Sequence, residues 1–267
     1  MARNKSPSGD FNWDHYTLVF AGRSFDVVRG EAPINGVYGD ESIKDLSNWH
    51  WHAVDENFVK VRALSNSHWR VWSKDGTRYD FTQPLYWAWD DPDNPADLYE
   101  PYKWLLTEVA DRHDNQIVYD YVIDQYPLAP NPGDSIVHPT YHLHSINWGP
   151  ARSASDPTQR RYRVRFEVRE RASATPGVDA EWEHNNLQVY GKEGASHERY
   201  QLDRIAVEVF QDHSGGYDPV RSYTLRYAPS SASLYSDDVG RYANGDPEGQ
   251  RVLTLTEIQP AGTAGGV

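Results

Sequence analysis

Cysteine is absent from the 267 residues, which removes disulfide frameworks, Cys-ligated zinc, iron–sulfur clusters and thiol chemistry. Positive charge is scarce: 26 Lys and Arg stand against 39 Asp and Glu, a net charge of −13. Nucleic acid and anionic membrane surfaces both reward clustered Lys and Arg, so neither fits as the main partner. No run approaches the roughly 18 consecutive apolar residues that span a bilayer as a helix, and no apolar segment follows Met1-Ala2-Arg3-Asn4-Lys5-Ser6. Familiar catalytic motifs are missing as well: there is no G-x-S-x-G elbow, no phosphate-cradling Gly loop followed by Lys, and no H-E-x-x-H. The sequence points away from a catalyst, and no cofactor is expected.

What the chain holds instead is aromatic residues and alternation. Apolar residues make up only 38%, so 18 Tyr and 10 Trp must carry much of the burial, a composition that favours strands over helices. Five pairs of alternating runs flank turn-forming residues. Tyr16–Phe20 and Ser24–Val28 lie either side of Ala21-Gly22-Arg23. Trp69–Ser73 and Thr77–Phe81 flank Lys74-Asp75-Gly76, where Gly supplies the positive φ of a tight hairpin turn. Leu105–Val109 and Ile117–Ile123 surround Asp111-Arg112-His113-Asp114-Asn115. Tyr141–Ile146 pairs with Arg161–Arg169, and Leu202–Phe210 meets Arg221–Tyr227 across His213-Ser214-Gly215-Gly216. Trp49–Val54 and Phe58–Val61 read as extended, residues 172–197 as an excursion from the main sheet, and Arg251–Ile258 as a lone last strand. The one helix start is Asn94-Pro95, with a single turn over Ala96–Tyr99 before Pro101. Within Arg161–Arg169, alternation places Tyr162, Val164, Phe166 and Val168 inward and Arg161, Arg163, Arg165 and Arg169 outward, toward solvent.

The expected fold is all-β: a series of antiparallel β-hairpins forming an open sheet or a β-solenoid or shell segment, with very little helix. Residues 1–14 read as a flexible arm, 15–260 as a single β-rich hairpin-repeat domain, and 261–267 as a flexible Gly-rich tail. The whole reads as an excised piece of a longer chain.

Candidate chemistry is sparse. Tyr86-Trp87-Ala88-Trp89 and Trp49-His50-Trp51 set aromatic pairs on one strand face. Exposed rings at that spacing stack on sugars and buried ones pack a core, so Trp49, Trp51, Tyr86, Trp87 and Trp89 are the candidate carbohydrate ligands. His142 with His144, and His50 with His52, are spaced as metal-binding pairs, but neither has a third ligand and no metal site is assigned. Asp91, Asp93 and Asp97 offer hard oxygen ligands of the calcium-loop kind, without the EF-hand glycine or terminal Glu, and the capped turn at Asn94-Pro95 explains them equally. A glycosidase pair exists only if folding brings two carboxylates together, so no catalytic residue is assigned.

Lys74-Asp75-Gly76-Thr77-Arg78-Tyr79-Asp80-Phe81 resembles the K-D-G-T-x-Y-x-F hairpin of RHS/YD-repeat proteins. Trp104, Leu106, Val109, Asp111, Asn115, Ile117, Tyr119 and Tyr121 follow that family's W-x-L-x-x-I-x-D-x-x-G-N-x-I-x-Y-x-Y unit, with Asp114 where Gly is usual. Arg221–Tyr227 followed by Leu253–Ile258 is similar to its R-S-Y-x-L-x-Y and L-x-x-I sequence. The resemblance is to the strand-rich region preceding the tandem repeats, as in bacterial RHS proteins and the B component of Tc toxin complexes. Neither the Tyr-Asp repeat with its following Gly-Arg nor a terminal aspartate-protease core occurs in this chain. The resemblance implies a non-catalytic β-scaffold, or shell, segment of a larger exported or cell-surface protein, whose partners are neighbouring repeats of its own polypeptide. A carbohydrate-binding module is the alternative, and a polysaccharide-acting glycoside hydrolase the second.

Overall fold

The structure is a computed structural model that describes residues 2–5, 11–20, 22–34, 45–54, 59–86, 88–89, 101–124, 136–137, 140–151, 160–170, 183–189, 192–198, 200–229 and 253–262. In chain order the strands are β1 (Ala2–Lys5), β2 (Phe11–Phe20), β3 (Arg23–Pro33), β4 (Trp49–Ala53), β5 (Lys60–Ser65), β6 (His68–Trp72), β7 (Arg78–Tyr86), β8 (Ala88–Trp89) and β9 (Pro101–Ala110). They continue as β10 (Gln116–Asp124), β11 (Ile136–Val137), β12 (Thr140–Ala151), β13 (Arg160–Glu170), β14 (Glu183–Val189), β15 (Lys192–Glu198), β16 (Tyr200–Gln211), β17 (Gly216–Pro229) and β18 (Leu253–Gly262). A 3-10 turn, Leu46–Asn48, precedes β4.

A 14-stranded antiparallel sheet runs β1-β2-β3-β4-β5-β6-β7-β9-β10-β12-β13-β16-β17-β18, so each strand lies beside the next strand of that sheet. This is the expected all-β open sheet. One residue pair, Ala2↔Lys103, additionally links β1 to β9. A separate four-stranded sheet, β14-β15-β11-β8, takes up much of the stretch expected to leave the main one. All five expected hairpins are present, as β2–β3, β6–β7, β9–β10, β12–β13 and β16–β17.

Three expectations need amendment. The last strand is not alone, because β18 pairs with β17 from Arg221↔Gly262 to Pro229↔Leu253. Pairing also reaches residues 2–5 and 11–14, which composition marks as a loose arm, since ladder hydrogen bonds need only backbone groups. The third concerns the arginines of β13, described below. The helical turn expected at Asn94-Pro95 lies outside the described residues.

The chain packs as two compact units: Met1–Asp120 with Pro127–Pro139 and Gln188–Gly194, and Tyr121–Tyr126 with Thr140–Leu187 and Ala195–Val267. In the first, alternation sends Tyr16 and Leu18, Val27, Trp49 and Trp51, Val61 and Ala63, Trp69 and Val71, Phe81, and Trp104 into one core. Tyr16, Trp51, Trp69 and Trp104 meet edge to face, with ring centroids 5.1 Å apart for Tyr16–Trp51, 4.9 Å for Trp51–Trp69 and 5.8 Å for Trp69–Trp104. Buried indoles need acceptors for their N–H groups. Trp51 donates to the Leu46 carbonyl at 2.9 Å and Trp104 to that of Asn66 at 2.8 Å.

The second unit buries polar residues. Register aligns Ser145, Arg165, Ala206 and Ser222 in one row and Asn147, Arg163 and Glu208 in the next. Ser145, Asn147, Ala206, Glu208 and Ser222 are buried, whereas Tyr162, on the opposite face of β13, is 37% exposed. Arg163 and Arg165 therefore lie on the more covered face, contrary to the reading from alternation, while Arg161 and Arg169 are more exposed, as that reading expects. Carboxylates on β16 explain why: charge that would cost free energy alone is tolerated when paired.

Candidate functional site

Two buried carboxylates, one in each unit, are the chemical focus of the sheet. Asp80 lies on β7 at the centre of a four-strand row, Arg62–Arg70–Asp80–Glu108, on the face opposite the aromatic core. The local sequence dictates that row. Ser73 and Thr77 close the turn, with Ser73 N–H donating to the Thr77 carbonyl at 2.9 Å, and Gly76 takes φ 86°. A turn centred on Asp75 puts Arg70 across from Asp80 and Trp72 across from Arg78.

Around Asp80, His68 Nε2 lies 2.7 Å and Arg70 Nε 2.6 Å from Oδ1. Arg78 Nε sits 2.9 Å from Oδ2, as an ion-pair contact rather than an aligned hydrogen bond. Arg78 continues to Glu108, whose carboxylate also accepts from Gln116 Nε2 at 3.3 Å. Burial by itself pushes the Asp80 carboxyl up, but hydrogen bonds from Arg70 and His68 and the charges of Arg70 and Arg78 outweigh it, holding it below the ordinary carboxylate range. A carboxylate so held is an anchor for cations and is poorly suited to donate a proton as a glycosidase acid must.

Glu208 has the same construction in the second unit. Arg163 Nε donates to it at 2.7 Å, and Arg165 lies 3.2 Å away while also reaching Glu167 at 2.6 Å. The Arg163 guanidinium stacks 3.8 Å from the Tyr217 ring centroid, and the Tyr217 hydroxyl donates to the Arg160 carbonyl. Arg169–Asp203 at 3.2 Å and Arg204–Glu167 at 3.7 Å extend the ladder. The basic face anticipated on β13 thus meets acidic residues of its own unit.

The aromatic candidates separate. Trp49 and Trp51 are 4% and 6% exposed, and the Arg29 guanidinium covers Trp49 at 3.9 Å, so neither ring offers a face to a sugar. Trp87 lies outside the described residues, and Tyr86 and Trp89 belong to β7 and β8 without a described side-chain placement. His50 and His52 are both exposed on the outward face of β4. His144 is exposed and His142 half-buried, its ring edge-on to Tyr200 at 5.2 Å. Asp91, Asp93 and Asp97 lie outside the described residues, and among the described ones no three His, Asp or Glu side chains gather as a metal site would require. No helix among the described residues is long and apolar enough to cross a membrane.

Neither carboxylate cluster was singled out by sequence reasoning. The Asp80 cluster had a usable signal, because the Lys74-Asp75-Gly76 turn fixes which residues of its two strands face each other. The Glu208 cluster had none, since β13 and β16 are joined through a long intervening segment and sequence does not set their register.

No known protein family matches the sequence, and no curated protein matches it. Solved structures do resemble the fold. The N-terminal domain of effector protein SpvB from Salmonella typhimurium strain LT2 matches with TM-score 0.51 at 14% identity, over 98% of this chain and 78% of that one. A TcdB2-TccC3 crystal structure matches with TM-score 0.45 at 14% identity, over 85% of this chain and 12% of the other. The Photorhabdus luminescens Tc holotoxin pore carrying the TccC3-D651A mutation gives TM-score 0.45 at 13% identity, over 86% of this chain and 11% of the other. The shared architecture with the SpvB domain is a likeness of fold.

Proposed function

We infer that this chain is a non-catalytic β-scaffold segment of a larger exported or cell-surface protein of the RHS-like kind, whose partners are neighbouring parts of its own polypeptide. One observation carries the reading: a 14-stranded meander whose two buried carboxylates are both saturated by arginines of adjacent strands. Such groups stiffen a sheet, and neither cluster holds a poised acid, base or nucleophile. The SpvB domain, itself part of an effector protein, supports the reading only by sharing the fold.

The test uses this chain and the full polypeptide encoding it. Cross-linking mass spectrometry on the full polypeptide is expected to join Lys60, Lys74 or Lys103 to flanking sequence, and polysaccharide screens on the chain are expected to release no reducing sugar. Polysaccharide turnover by the purified chain would replace the scaffold with a hydrolase.

A further inference from the structure

The geometry points to an anionic-glycan site on the outward face of β4 to β7, where a hexuronate ring stacks on Trp72 and its carboxylate meets Arg62. Val61, Ala63, Trp69 and Val71 are buried in the core, so their strand neighbours Lys60, Arg62, Arg70 and Trp72 project from the other face. Register sets two rows across that face, Lys60–Trp72–Arg78 and Arg62–Arg70–Asp80–Glu108. The half-buried Trp72 indole thus has Lys60 and Arg78 across the strands, Arg70 two residues along and Arg62 on the diagonal. The Lys60 ammonium is 5.2 Å and the Arg70 guanidinium 5.9 Å from its ring centroid.

The charges here do not balance internally. Among the described residues, Lys60, Arg62, Arg70 and Arg78 face two carboxylates, and both are occupied: Asp80 by His68, Arg70 and Arg78, and Glu108 by Arg78 and Gln116. Arg62 is exposed and has neither a hydrogen bond nor an ion pair among the described residues. It also sits directly opposite Arg70, a like-charge cross-strand pair that destabilises a sheet. His50 and His52 are exposed on the same face of β4, with His52 opposite Lys60. In a chain of net charge −13, such a patch is local and selects a local anion.

The indole at its centre decides which anion. A polyanion without rings uses only the cations. A uronate lays the C–H face of its pyranose ring on the indole and presents a planar carboxylate that accepts two hydrogen bonds from the Arg62 guanidinium. This site is separate from the buried Trp49 and Trp51 and does not depend on the scaffold reading.

Affinity gel electrophoresis of the intact chain at low salt tests it, with polygalacturonate, dextran and poly-L-glutamate in parallel gels. Polygalacturonate should retard the chain and dextran should not. Trp72→Ala and Arg62→Ser should each weaken retardation by about ten-fold, and poly-L-glutamate should bind about ten-fold more weakly. Arg62→Ser alters an exposed side chain and leaves the core intact, so it keeps the test valid even where Trp72→Ala lowers the melting point. Absence of polygalacturonate retardation, retardation unchanged by Arg62→Ser, or equal binding of poly-L-glutamate would overturn the assignment, the last in favour of an acidic protein surface.

Discussion

At the scale of single residues, removing a charge and titrating it are separate experiments on Asp80. Its side chain is 6% exposed and holds His68, Arg70 and Arg78 together. Asp80→Asn leaves the Arg70 guanidinium without its counter-charge and Arg78 with Glu108 alone, which is expected to cost about 3–5 kcal/mol in a chemical-denaturant titration at pH 7. Because the folded-state carboxyl is held below its ordinary range, its contribution is present above that range and is lost as pH falls through it. The gap between wild type and Asp80→Asn should therefore begin to narrow as pH falls below the ordinary aspartate pKa of about 4 and go on narrowing through the lowered folded-state value, and a gap of constant size would remove the ion cluster from the explanation. Asp75 makes the contrast. Its carboxyl is lowered to about 2 by bonds from the Ser73 hydroxyl and the Thr77 backbone, but it is exposed and screened by solvent, so its titration is expected to change stability much less than that of Asp80.

At the scale of elements, two turns of the first unit share their backbone hydrogen bonds and differ in the residue that takes the left-handed position. Ser73–Thr77 closes around Gly76 at φ 86°, and Asp111–Asn115 closes around Asp114 at φ 60°. Left-handed backbone costs a non-glycine residue about 1–2 kcal/mol, less for Asp, and glycine's extra unfolded-state entropy returns about 0.5–1 of it. Asp114→Gly is expected to stabilise the chain by about 0.5 kcal/mol, read as a small rise in melting temperature. Gly149 is the opposite case. It takes φ 87° at the β12–β13 bulge, and a Cβ there would lie 2.9 Å from the Tyr162 ring. Gly149→Ala should destabilise by about 1–2 kcal/mol, and adding Tyr162→Ala should recover only the contact part of the loss.

These elements also mark how far the sequence could be read. Hairpins with Asp-Gly or Asp/Asn-rich turns declare their register locally, which is why Arg70 opposite Asp80 was legible in principle and the five hairpins were legible in practice. The inversion on β13 was not. Strict alternation named Tyr162, Val164, Phe166 and Val168 as the buried set, because period alone cannot say which face a neighbouring strand will cover with carboxylates. Trp49 and Trp51 were ambiguous for a related reason: their spacing is the same in a sugar platform and in a core, and only the other strands decide between them.

At the scale of the whole molecule, the two units bury different things, and that difference can be measured. The first unit rests on Trp and Tyr packed edge to face, the second on ion pairs and small polar residues between half-covered strands. Among the Trp with described side chains, Trp49, Trp51, Trp69, Trp72 and Trp104 belong to the first unit and Trp148 to the second, so tryptophan fluorescence weights the first while far-ultraviolet circular dichroism follows both. Trp69 is fully buried, and Trp69→Ala is expected to cost the first unit about 3–5 kcal/mol. The fluorescence midpoint in denaturant should then fall well below a later dichroism phase that keeps its wild-type position. Glu208→Gln should do the reverse, because it strips Arg163 of its counter-charge and leaves Arg165 with Glu167 alone in the second unit, while every aromatic contact of the first remains. Two variants that each shift both probes together would show that the 14 strands unfold as one cooperative body, and the sheet would then owe its stiffness to continuity of the ladder more than to either core.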